Sequence, residues 1–442
     1  MIKKLQYFYA TISVLIYFLI AFFLERTQFS ALVFCFAILF FCYYKLLKIN
    51  SENLKILIFS TFAFRIIFLV SLPNLSQDFY RFIWDGRLIL SGLNPYLQLP
   101  KDLILNANFF MPQAKELVFA MGELSAKHYS NYPPINQLCF AIAGFFSPNS
   151  IIGAVVVLRL IIVSADLGTL YFGQKLLKNI GLNQNKIYWY LLNPLVVLEL
   201  SGNLHFEGVM LFFLVLSIYL LQKNSYKWAA FFMGISISVK LLPILLLPIL
   251  YKYLGLKKAV IFYGLTLFFC FLFFVPFLSS ELIDNYSKTI GLWFTNFEFN
   301  ASIYYIIRYI GQQIYGYNII QTVGKIIPVM VILFILFKAF FSKNKTEIDL
   351  FNTFLIVLSI YFFTATTVHP WYIINLVFLS VFTQFKYPIY WSFVIILSYF
   401  AYSNPEFKEN FYLMFIEYAV VFTMFFLEIS NKKLNFTGRK EV

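Results

Sequence analysis

Charge is scarce in this sequence. Asp, Glu, Lys and Arg make up 12% of its 442 residues, about half the share in a soluble domain. With 61% hydrophobic residues, one large soluble core would leave too little polar surface to cover it. The mean hydropathy is +0.78. Apolar runs of about 18–20 residues recur along the chain, which predicts a polytopic, all-α membrane protein.

Cysteine is also rare. Cys35, Cys42, Cys139 and Cys270 sit inside apolar runs without metal-ligand spacing, so they read as small hydrophobes and exclude a disulfide framework. The sequence has no Gly-rich phosphate loop, no Rossmann fingerprint and no soluble domain. An activated substrate must therefore arrive through the membrane or from outside. Acidic residues are fewer than basic ones, 20 against 34, for a net charge of +14. The basic residues fall in short clusters between apolar runs and form no single patch. That is positive-inside patterning and excludes a nucleic-acid surface.

Following those clusters gives about 14 crossings, with both termini cytoplasmic. Lys45, Lys48 and Lys55 mark an inner turn, as do the basic tail residues Lys432, Lys433, Arg439 and Lys440. The N-terminal apolar run lacks a cleavage site before Glu25 and reads as an uncleaved first span. The whole chain, 1–442, reads as one membrane domain with two large external loops, 73–134 and 279–318. The apolar stretch 135–146 is too short to cross comfortably. No internal repeat is visible.

What charge there is concentrates at the start of the first loop, in SQDFYRFIWDGRLILSGLNPYLQLP. If 78–90 is helical, Asp78, Arg81 and Asp85 share one stripe, with Tyr80, Trp84 and Arg87 beside it. The two aspartates then lie about 10 Å apart along the axis. A retaining carboxylate pair stands roughly 5 Å apart, so these two have different tasks. Asp78, nearer the membrane, is the candidate base; Asp85 orients Arg81 or joins an acceptor site. As a bland alternative, these are solvated loop charges. Asn94, Pro95 and Tyr96 form a structural turn.

Further candidates are spread along the chain. His205 and Glu207 occupy an outer turn between two spans, where a capped helix start is the competing reading. Lys240 stands in the apolar stretch ISVKLLPILLLPIL, where a membrane-lipid phosphate is a natural partner and snorkelling the bland one. His369, in His-Pro-Trp-Tyr, opens an outer helix as a sugar or phosphate contact, or as a cap. Arg65, Arg159 and Asp166 are intramembrane charges read as structural. No metal site is assigned. An Asp-bearing face could hold a divalent ion, but its ligand set is incomplete.

Taken in order, these motifs resemble the bacterial polyprenol-phosphate-sugar-dependent glycosyltransferases of the GT-C superfamily, the mannosyltransferase-like group. The resemblance rests on Asp78-Phe79-Tyr80-Arg81, Trp84-Asp85-Gly86-Arg87 and Gly92-Leu93-Asn94-Pro95-Tyr96. It continues through Tyr132-Pro133-Pro134, Asn193-Pro194, Gly202-Asn203-Leu204-His205-Phe206-Glu207, Lys240-Leu241-Leu242-Pro243 and His369-Pro370-Trp371-Tyr372. It implies a GT-C-like bundle of about 13–14 transmembrane helices in a bacterial inner membrane, with two leading spans as an extension. It also implies transfer of a hexose, mannose favoured, from a polyprenyl-phosphate sugar to a glycan, lipid or protein hydroxyl on the external face, with inversion. Asp78 falls where the family has its base. Arg81, Asp85, Arg87, Lys240, His205, Glu207 and His369 are then the substrate- and phosphate-binding candidates. Relatives carry Gly-His-Asn-Asp near the middle, and this chain departs from that pattern at Gly202–Glu207. A lipid-linked sugar flippase and a surface-polysaccharide polymerase or ligase share the multi-span form and are the competing functions.

Overall fold

The computed structural model describes residues 2–49 and 54–437. Of the basic tail, Arg439 and Lys440 lie outside the described residues. All regular structure among the described residues is helical, apart from one isolated bridge between Phe299 and Thr367. Among the described residues, seven helices are long and apolar enough to cross a bilayer: Lys4–Phe22, Phe29–Ile49, Ile151–Asn179, Leu256–Phe277, Ile320–Phe341, Glu347–Thr364 and Phe411–Ser430. The protein is a polytopic, all-α integral membrane protein, as its composition requires.

The expected crossings differ in make-up. Several apolar runs form short or bent helices instead of full spans, among them Pro134–Phe146, Leu242–Leu254 and Pro370–Ser380. At 1.5 Å per residue, 13 residues reach about 20 Å, well short of a ~30 Å hydrocarbon core. Another pair, Pro194–Gly202 and Glu207–Gln222, passes the length test only jointly and bends by 111° at its break. Prolines open three of these elements, Pro134, Pro194 and Pro370, where a missing N–H costs nothing and the fixed φ suits a first turn. A capping box of Thr346 and Asp349 starts Glu347–Thr364.

Buried charges hold the bent pair. Arg159 donates to the carbonyls of Ser201 (2.5 Å), Leu69 (2.9 Å), Ser71 (3.0 Å) and Gly202 (3.3 Å). The bonds to Ser201 and Gly202 satisfy carbonyls at the end of the broken helix, and those to Leu69 and Ser71 tie it to the turn after Leu54–Ile66. Arg65 pairs with Asp166 at 2.6 Å, both fully buried, and also donates to Leu191 O at 2.9 Å. Helix Asp78–Leu90 packs closely on Pro134–Phe146. There Phe82 and Phe140 stack at 4.6 Å, and a Cβ on Gly86 would collide with the Phe140 carbonyl.

Candidate functional site

Asp78 is the first residue of its helix, Asp78–Leu90. Its backbone N–H donates to Ser76 Oγ at 3.3 Å, and an acid in the first turn favours the positive end of the helix dipole. Among the described residues, no hydrogen bond or ion pair engages its carboxylate. The side chain is half-buried. Burial pushes its carboxyl up to about 6; Lys240 and Arg26 pull it down and Glu207 pushes it further up. A carboxyl that titrates near neutrality, unpaired and still accessible, has the properties of a general base.

The break between the bent helices supplies the opposite wall. Val197–Gly202 is a π-helical turn, a geometry common at functional sites. Leu204 then adopts a left-handed φ of 64°, a strained conformation for a branched side chain. Glu207 begins the next helix and forms an ion pair with Lys240. Lys240 is in extended conformation where helix Tyr226–Val239 ends. Its side chain is 23% exposed and that of Glu207 only 2%, so the ammonium reaches the open side of the pair. Glu207 Oε2 is buried without a partner.

A third wall is aromatic. His369 precedes helix Pro370–Ser380. Its ring stacks on Trp371 at 4.3 Å, and Trp371 in turn stacks on His205 at 3.9 Å. Phe299 of the second loop stacks on His369 at 4.9 Å. The backbone of that loop pairs with the 366–368 segment, through Phe299 N to Thr366 O at 3.1 Å and Val368 N to Phe299 O at 2.8 Å. Burial and the Lys240 charge push the His369 imidazole down to about 3, which leaves it neutral at physiological pH.

Of the residues singled out from sequence, Asp78, His205, Glu207, Lys240 and His369 come together here, although up to 291 positions separate them in the chain. Arg81, Asp85 and Arg87 do not join them. Arg81 pairs with the fully buried Asp85 at 2.7 Å and donates to the carbonyls of Ser125 and His128. Asp85 accepts from Ser130 at 2.6 Å and Gln137 at 3.0 Å. Arg87 donates to Pro112 O and Gln113 Oε1. Asp85 orients Arg81, as one of its two sequence readings has it, and the hydrogen bonds that all three make tie them to the 112–137 segment. The Asn94-Pro95-Tyr96 turn knits the two loops: Asn94 donates to Phe277 O, and Tyr96 O accepts from Asn285.

Four residues of the site went unrecognised in the sequence. Glu199 lies in the π-helical turn, accepts from Tyr399 Oη at 2.6 Å and from Asn203 at 2.9 Å, and faces His205 Nε2 at 3.5 Å. Its signal was a lone carboxylate in the apolar run LLNPLVVLELSG. Arg26, in the turn after the first helix, donates to Gln77 and lies 5.7 Å from the Tyr402 ring. Tyr399 and Tyr402 carried no signal, since tyrosines are everywhere in this chain.

Three helix N-termini meet at this place, those beginning at Asp78, Glu207 and Pro370. Their dipoles, with Lys240 and Arg26, favour an anion. Asp78 and neutral imidazoles offer acceptors for hydroxyl groups. Among the described residues, no group of three His, Cys, Asp or Glu side chains could hold a metal ion.

The sequence profile of one family, described as alpha-(1->6)-mannopyranosyltransferase, N-terminal domain, matches residues 14–254. The match begins inside the first helix, so of the two leading spans expected as an extension, the second and the latter part of the first fall within the matched region. Asp78, Glu199, His205, Glu207 and Lys240 all lie inside it. No curated protein and no solved structure matches the chain.

Proposed function

The chain belongs to the alpha-(1->6)-mannopyranosyltransferase family, and from that premise we propose how this mannosyltransferase works. The donor is a polyprenyl-phosphate mannose and the acceptor a glycan. Asp78 takes the proton of the acceptor hydroxyl as its oxygen forms a bond to the anomeric carbon. The bond from that carbon to the phosphate oxygen breaks, and its electron pair leaves on the phosphate. One displacement inverts the centre, so an α product requires a β-linked donor. The family's (1->6) linkage makes the attacking group a primary 6-hydroxyl.

Lys240 and the three helix N-termini stabilise charge on the departing phosphate. Glu207 holds the ammonium in place. The apolar spans receive the polyprenyl tail, which accounts for the lack of a nucleotide-binding motif in the sequence. The site opens on the external face of a bacterial inner membrane, with the termini cytoplasmic, in keeping with the distribution of Lys and Arg. No step is assigned to a metal or cofactor.

One observation carries this reading: an unpaired carboxylate, raised to about 6, beside an ion-paired lysine where three helix N-termini converge. The test is transfer of labelled mannose from polyprenyl-phosphate mannose to a mannoside acceptor in proteoliposomes. Asp78→Asn should abolish it, and undiminished transfer would remove Asp78 as the base. Movement of lipid-linked sugar without new glycosidic bonds would instead favour a flippase.

A further inference from the structure

Glu199 is 1% exposed, yet its carboxylate is matched by polar neighbours. Tyr399 Oη donates to Oε1 at 2.6 Å and Asn203 Nδ2 to Oε2 at 2.9 Å. Asn203 also donates to Tyr399 Oη at 3.2 Å, which closes a ring of three side chains. Both carboxylate oxygens therefore act as acceptors. His205 Nε2 faces Oε2 at 3.5 Å and has no other partner. Against the ionised carboxylate that nitrogen carries the proton, and at 3.5 Å the two groups are in contact without a formed hydrogen bond. The backbone fixes the pair, since His205 N–H donates to Glu199 O at 3.0 Å across the π-helical turn. Trp371 stacks on the ring at 3.9 Å and limits its rotation. Nδ1 is then the nitrogen left with a lone pair and no protein partner.

We propose that Glu199 is a positioning residue that fixes His205 as its Nε2–H tautomer, so that Nδ1 accepts a hydrogen bond from a hydroxyl of the bound sugar. A lone pair repels a phosphate oxygen, so His205 reads a neutral hydroxyl while Lys240 serves the anion. The ring–carboxylate pairing has the logic by which an acid orients an imidazole elsewhere. The sugar contact rests on the mannosyl-transfer reading; the tautomer does not.

The chain has three histidines, His128, His205 and His369, so 15N-histidine labelling of the full protein in detergent gives an assignable spectrum, with His205→Gln identifying its signals. The expected result is a neutral His205 with protonated Nε2 and bare Nδ1, giving way to a mixture of the two tautomers in Glu199→Leu, which offers Nε2 no acceptor. A bare Nε2 or an imidazolium in the unmodified protein would overturn the proposal, as would an unchanged tautomer in Glu199→Leu. Tyr399→Phe keeps the carboxylate and should keep the tautomer; a switch there would move control away from Glu199 and count against it.

The kinetic arm varies polyprenyl-phosphate mannose and the mannoside acceptor separately. Glu199→Leu should raise the KM of whichever sugar His205 touches by about three- to tenfold, the size of one neutral hydrogen bond. The affected substrate identifies the source of the hydroxyl. Unchanged KM values for both would overturn the sugar contact. Because the tautomer is read without turnover, it stands or falls separately from mannosyl transfer.

Discussion

Lys240 is ion-paired with Glu207 at the break between two helices, while the Asp78 carboxylate, within the electric field of both, has no partner among the described residues. The pair divides labour: Glu207 is enclosed and holds the cation, and the cation remains partly open to a ligand. Lys240→Gln removes the ammonium and leaves a buried carboxylate unpaired, which costs several kcal/mol where the partner is fully enclosed and about 1–3 kcal/mol at this half-open site. Lys240→Gln with Glu207→Gln should recover most of the thermal unfolding midpoint in detergent but none of the transfer activity. Recovery of activity in the double variant would reduce Lys240 to a structural role.

The pH dependence follows from Asp78. As a base it works deprotonated, so kcat/KM should fall about tenfold per pH unit below about 6 and level off above it. Removing the Lys240 charge raises the carboxyl further, because Lys240 pulls it down and Glu207 pushes it up. The acid limb of any residual activity in Lys240→Gln should move to higher pH, on the order of one unit. A limb that stays in place would mean another group is being titrated.

The same shift bears on stability. The folded carboxyl titrates above its unfolded value, so above about pH 6 the ionised, desolvated group costs stability, and the cost fades as pH falls toward 4. Asp78→Asn should therefore lose transfer by about 10²–10⁴-fold and gain about 1–2 kcal/mol of stability at pH 7.5, after discounting for its open side. Equal unfolding midpoints for both proteins at pH 7.5 would contradict the shifted carboxyl.

Much of this site was legible in the sequence, and the misses have physical causes. The helix over 78–90 could be read because its charges and aromatics fall on helical stripes. Lys240 and the His205–Glu207 pair could be read because charge at a membrane boundary is costly and conspicuous. The direction of Arg81 and Arg87 could not be read. A helix stripe fixes which residues are neighbours, not whether the stripe faces a substrate or the 112–137 segment, and here the segment's carbonyls took both guanidiniums. Hydropathy counted crossings where the chain bends, because a proline-opened half-helix is as apolar as a full span. Glu199 is masked in the same way, because it stands in the apolar run that leads to the outer turn at His205 and hydropathy reads that run as one span.

The loop-holding network yields its own outcome. Asp85 is fully buried and satisfies Arg81, Ser130 and Gln137 together. Asp85→Ala strands a buried guanidinium, a loss of about 3–5 kcal/mol. Limited proteolysis should then cut between 100 and 130 in the variant and not in the parent. If the fraction that stays folded keeps its KM values, Asp85 acts through the loop; a selective rise in acceptor KM would return it to the substrate site.

Gly86 tests the scaffold behind Asp78. A methyl group there would run into the Phe140 carbonyl, and backbone cannot yield as a side-chain tip can. Gly144, on the facing helix, leaves only 3.3 Å between a would-be Cβ and Arg87 N. The two helices thus approach through facing glycines, the small-residue packing that membrane interiors use. Gly86→Ala must push Asp78–Leu90 away from Pro134–Phe146 and shift Asp78 relative to Lys240. An overpacked contact costs about 1–3 kcal/mol, and a 1 Å displacement of a base costs about 10²-fold in rate. The expected result is a modest fall in unfolding midpoint with a disproportionate fall in kcat. A kcat that follows folded fraction alone would show that the spacing of these helices does not set the position of the base.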